Sequence, residues 1–134
     1  DTMVPVIGAT NVGGVPVENM IEEKKLASIV QRTRDGGAEI VALLKTGSAF
    51  YAPSAAIVQM VESILLDKKQ ILPCAVLLNG EYGFKNVYAG VPIKLGANGV
   101  EEIIEVELNS EEHKALSNSV DSVKELLVIM SDNS

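Results

Sequence analysis

The chain has 134 residues, about one domain's length and enough for a single sizeable core. It is 47% hydrophobic and 22% charged, which excludes a disordered polar segment lacking the apolar area to offset its ordering entropy. Eighteen acidic residues against 11 basic ones give a net charge of −7, which argues against a nucleic-acid partner.

The opening stretch DTMVPVIGATNVGGVPV mixes β-branched residues with Gly8, Gly13, Gly14, Pro5 and Pro16, and predicts one or two short strands joined by turns. It begins at Asp1 without an initiator Met, as either a processed N-terminus or the back part of a longer protein would. No secretory signal is visible, and the single cysteine, Cys74, rules out an intrachain disulfide framework and fits a reducing compartment.

From Glu22 the period changes. Leu26, Ile29, Val30, Thr33, Gly37, Ile40, Val41 and Leu44 follow steps of three and four, which predicts one long helix with an apolar face. The pattern keeps its phase through Gly36 and Gly37. Each glycine costs a helix roughly 1 kcal/mol relative to Ala, and close approach of another backbone is the usual compensation. The alternative is a kink or a true break at Asp35–Gly37.

Thr46 to Ser54 ends that helix and starts the next, with Gly47 suited to a left-handed C-terminal position and Pro53 to a first helical turn. The second helix is expected to bury Ile57, Val61, Ile64 and Leu65 before ending at Asp67–Lys69. Three strands follow, at 71–78, 87–95 and 100–108. The first is the longest wholly apolar run and far too short for a membrane span. The last two flank the turn GANG, a hairpin signal. In the third strand Ile104, Val106 and Leu108 share the side expected to face the core. Asn109 or Ser110 should cap a last helix carrying Glu111 and Glu112 in its first turn, with Leu116, Val120, Val123 and Leu127 inward and a frayed tail at 131–134. The fold class expected is α+β, long helices packed on a small antiparallel sheet.

Chemistry is sparse. His113, the only histidine, lies among Glu111, Glu112 and Lys114 in an expected exposed first turn, and its sequence neighbours announce neither the burial nor the specific pairing that tunes a catalytic acid or base. One Cys and one His, 39 positions apart, make no metal spacing, and neither glycine-rich phosphate motif occurs. Cys74 reads as a small core residue, and Glu22–Lys25 as a solvated helix start. Arg32 and Arg34 could fork onto a carboxylate, although ion pairs are the commoner use. The small-residue loop around Phe50 and Tyr51 is the one stretch where a ligand could approach the backbone.

Five stretches carry a resemblance. DTMVP at the start, then RTRDGGAEIV, LLKTGSAFYAPSAA, LPCAVLLNGEYG and GVPIKLGANGVEEIIE, together cover nearly the whole chain. In this order they resemble the C-terminal, substrate-side half of the lactate/malate dehydrogenase family, in its lactate-dehydrogenase-like bacterial malate branch. The resemblance implies reversible hydride transfer between malate and NAD, giving oxaloacetate and NADH. It also implies a histidine acting as general acid/base just ahead of Asp1. The aspartate that orients it, the substrate-binding arginines and the glycine-rich NAD loop are expected further upstream, in a Rossmann domain outside these residues.

By the same resemblance, residues 1–134 form the C-terminal substrate domain, with Ser48 and Ala49 lining the substrate pocket and Pro53 beside the nicotinamide. No catalytic residue and no metal ligand carries over. Asp1 is not the orienting aspartate, and His113 does not replace the missing histidine. The chain alone is expected to be inactive, and the complete protein to be a cytoplasmic homodimer or homotetramer of the tricarboxylic acid cycle. The long glycine-containing helix matches one that packs on the dinucleotide half and a neighbouring subunit. The nearest alternative is an L-lactate dehydrogenase C-terminal domain; an alternative of another class is a non-catalytic binding or oligomerisation module.

Overall fold

A computed structural model describes residues 3–132. Their order is β1 (Asn11–Val12), β2 (Val15–Pro16), α1 (Glu23–Leu44), α2 (Tyr51–Leu65), β3 (Gln70–Asn79), β4 (Lys85–Gly96), β5 (Gly99–Ile103) and α3 (Ser110–Asp132). The expected α+β class is observed. These residues divide into two compact units. The first holds the chain up to Phe50 together with Glu107–Ser119; the second holds Tyr51–Val106 and the chain from Val120 onward.

In the first unit, β1 and β2 pair through Val12 and Val15 as a minimal antiparallel ribbon, as the glycine-rich opening predicts. The helix α1 runs unbroken through Gly36 and Gly37, so the periodicity that kept its phase there marked one helix. None of its 22 residues is buried. Val17 and Leu116 are the buried apolar residues of this unit. The cap of α3 is Asn109, whose Oδ1 accepts the backbone N–H groups of Glu111 (3.0 Å) and Glu112 (2.9 Å). Those donors have no partner within the helix, so a short side-chain acceptor here satisfies them.

The second unit carries the main core. The three strands form an antiparallel sheet in the order β3-β4-β5. Cys74 pairs with Val91, Leu72 with Ile93 and Leu78 with Val87, so the period of two puts one set of side chains on one face. Cys74, Leu78, Val91, Ile93 and Leu95 form the buried cluster, with Met60 and Ile64 of α2 packed on it. Ser63 of α2 is fully buried; its hydroxyl donates to the Leu95 carbonyl (2.6 Å) and accepts the Gln70 N–H (3.3 Å). One small polar group thereby joins a helix to two strands, with its own donor and acceptor both used. The GANG turn closes β4 onto β5 with Gly96 opposite Gly99.

Four sequence expectations are corrected. Ile57, Val61 and Leu65 are exposed, and α2 meets the sheet through Met60, Ser63 and Ile64. The third strand stops at Ile103: the Ile104 N–H still reaches the Pro92 carbonyl of β4 (2.9 Å), and from the Ile104 carbonyl onward the chain bonds to a side chain instead. The Tyr82 hydroxyl donates to the Ile104 carbonyl (2.9 Å) and accepts the Val106 N–H (3.0 Å), supplying the partners a further ladder would have supplied. Along α3, Val120 is buried but Leu127 is exposed. Of the tail expected to fray, Ser131 and Asp132 are helical, and Asn133 and Ser134 lie outside the described residues.

Candidate functional site

The loop that resembles the family's pocket follows from how α1 ends. Lys45 takes a left-handed conformation (φ 63°), and its N–H reaches the Val41 carbonyl at 3.0 Å. Gly47 is also left-handed (φ 86°), so Lys45 rather than Gly47 provides the helix cap and the glycine makes the second bend. Ser48 and Ala49 follow without regular structure, and the Phe50 N–H closes back on the Ser48 carbonyl at 2.8 Å. Ser48 is exposed and Ala49 half-buried. Pro53 stands exposed in the first turn of α2, where its missing N–H leaves no helical bond unmade. Phe50 and Tyr51 are also exposed, at 51% and 68%. This is an accessible, small-residue backbone with an aromatic pair beside it.

The two arginines part company. Arg32 is spent on Glu39, seven residues and about two turns further along α1, with Nη2 and Nε on the two carboxylate oxygens at 2.8 and 3.0 Å. The hydrogen bond first, and then the opposite charge, hold Glu39 below the usual carboxylate range. Both side chains are solvent-exposed, so the pair contributes little to stability. Arg34 instead lines an open cavity of about 520 Å³ in the first unit, among Pro5, Leu26, Val30, Glu111 and Glu112. Sequence reading missed this cavity, because three segments distant in sequence form its walls.

His113 is on the exposed side of α3, and its carbonyl accepts the Ser117 hydroxyl. Its neighbour Glu112 is the unexpected residue. Only 7% exposed, it accepts the N–H groups of Ile7 (2.8 Å) and Gly8 (3.3 Å) on Oε1 and that of Asn109 (3.0 Å) on Oε2. The helix-start motif N-x-x-E signals the Asn109 half of this arrangement; nothing local in sequence signals the half that reaches Ile7. Cys74 is buried in the sheet, and burial pushes its thiol up from the usual value, which disfavours the reactive thiolate. Among the described residues no three His, Cys, Asp or Glu side chains gather as a metal site, and no helix is long and apolar enough to cross a membrane.

Comparison with known proteins places these features in a family. The profile of the lactate/malate dehydrogenase, alpha/beta C-terminal domain matches residues 1–131. The chain is 55% identical over 129 residues to the malate dehydrogenase of Heliobacterium modesticaldum, covering 96% of this chain and 42% of that protein. It superposes on the malate dehydrogenase of Salinibacter ruber with a TM-score of 0.90 at 46% identity, covering 100% of this chain and 45% of the other. A lactate dehydrogenase from Eimeria maxima, solved with NADH and oxamate, gives a TM-score of 0.90 at 37% identity, over 96% of this chain and 41% of that one. The chain thus spans about two fifths of the length of the curated relatives it matches.

Proposed function

The chain belongs to the lactate/malate dehydrogenase C-terminal domain family, and we propose that it is the substrate-side part of an NAD-dependent malate dehydrogenase interconverting malate and oxaloacetate. The observation that carries this reading is the 55% identity to a malate dehydrogenase along nearly the whole chain. The match covers 96% of the chain.

In this reading Ser48 and Ala49 form part of the substrate-pocket wall, where small side chains let a four-carbon dicarboxylate lie against the backbone. Pro53 presents a rigid apolar surface beside the nicotinamide. NAD, when bound, supplies the hydride acceptor. In the family this chain belongs to, the residues that grip the dinucleotide belong to an upstream Rossmann domain. A histidine just ahead of Asp1 takes the hydroxyl proton as hydride leaves the carbon, and upstream arginines hold the carboxylates. The contribution of this chain is to shape and dry the pocket and to hold the segment following that histidine.

The exposed apolar stripe of α1 supports the same reading. Ile29, Ile40, Val41 and Leu44 are 37–42% exposed, and a Cβ on Gly36 or Gly37 would meet nothing within 4 Å. The dinucleotide half and a neighbouring subunit of a cytoplasmic dimer or tetramer would cover this face. A second reading, an L-lactate dehydrogenase, is favoured by the equal TM-score to the Eimeria enzyme. The test is NADH oxidation by the longer protein with oxaloacetate or pyruvate, and by residues 1–134 alone. The proposal expects preference for oxaloacetate and no turnover by the chain alone. Preference for pyruvate establishes the lactate reading; no turnover of either substrate by the longer protein leaves a non-catalytic module.

A further inference from the structure

Glu112 is a carboxylate that the proposed chemistry does not use. It is nearly enclosed, and its three hydrogen bonds all come from backbone N–H groups: two from Ile7 and Gly8, more than a hundred positions earlier, and one from Asn109. No cation pairs with it among the described residues. A buried carboxylate is costly without strong donors, and bonds from N–H groups to an ionised oxygen are among the stronger ones available. Such a group fixes the backbone that donates to it. Here that backbone is the end of the segment Val4–Ile7, four consecutive half-buried residues with a φ locked at Pro5.

We infer that Glu112 is a positioning residue for the hydride-transfer site: it locks the strap Val4–Ile7, from which the chain leads back to the histidine proposed just ahead of Asp1. This inference rests on the dehydrogenase reading above. One oxygen of Glu112 holds the strap and the other holds the start of α3, so the strap is referenced to a rigid helix instead of to a loop. The Asn109 side chain separately caps the helix, which leaves the Glu112 carboxylate available to the strap.

The test uses the longer protein with Glu112→Ala, Glu112→Gln and Asn109→Ala. A displacement on the order of 1 Å at a reacting group costs up to about a hundredfold in rate, so Glu112→Ala should lower kcat by about tenfold or more. KM for NADH should stay within about twofold, because the dinucleotide half is untouched. Glu112→Gln keeps one acceptor for two jobs and should lose kcat by a smaller factor. Asn109→Ala removes the cap but leaves the strap held, and should lower Tm while sparing kcat. A role confined to stability would instead lower Tm in all three variants with kcat per folded site unchanged. If Glu112→Ala fails to fold, Glu112→Gln decides, and wild-type kcat in either folded Glu112 variant overturns the inference. A wild-type protein without dehydrogenase activity would defeat the dehydrogenase reading and take this inference with it, whereas an active wild type with equally active Glu112 variants defeats the inference alone.

Discussion

The helix α1 and the β3-β4-β5 sheet are both strongly apolar, yet they end in opposite states. The sheet encloses Leu78, Val87 and Ile93 to 1% exposure or less, while α1 buries none of its 22 residues. Both patterns were written by the same rule, apolar residues at the period of the element. In the sheet the partner surface is α2, a few residues away in sequence, and the pattern is satisfied within the chain. In α1 the stripe is equally regular and stays open. Periodicity specifies that a face will be covered; it does not specify by what.

The largest effect that separates the two regions is expected in the sheet. Ile93→Ala removes a side chain at the centre of the enclosed cluster, and should destabilise the chain by about 2–5 kcal/mol, seen as a fall in the denaturant midpoint. A change well under 1 kcal/mol would show that the sheet is not the stabilising core. A smaller effect, of opposite sign in two contexts, is expected in α1. In the chain by itself Gly37→Leu meets no neighbour within 4 Å, so regained helix propensity should raise stability by up to about 1 kcal/mol. In the longer protein the same change should weaken assembly. Light scattering that shows unchanged oligomer mass would break the comparison, because α1 would then be an uncovered surface in every state.

What could be read in advance follows the same division. The extent of α1, its continuity through Gly36 and Gly37, the GANG hairpin and the Asn109 cap are local matters, and local residue chemistry announces them. The inward face of α2 was not legible, because Ile57, Val61 and Leu65 make as good an apolar stripe as Met60, Ser63 and Ile64, and only the position of the sheet chooses between them. Ser63 and Glu112 were missed for a related reason. Polar residues read as solvated, and their partners, Leu95 for one and Ile7 for the other, are distant in sequence. The early end of the third strand likewise depends on Tyr82, 22 residues before Ile104. The candidate site was legible only through resemblance. Ser48, Ala49 and Pro53 are small, exposed or half-buried residues whose chemistry says little until the other wall of the pocket is supplied.

Under the proposed function, the open face of α1 is covered by the upstream half of the longer protein. Hydrogen exchange of the α1 amides, followed in residues 1–134 alone and in the longer protein, tests it most directly, because exchange reads how often the helix opens. The account predicts weak protection of 23–44 in the chain alone and a large rise when the upstream half is present, with the β3 and β4 amides slow in both. Equal protection of α1 in the two proteins would contradict it.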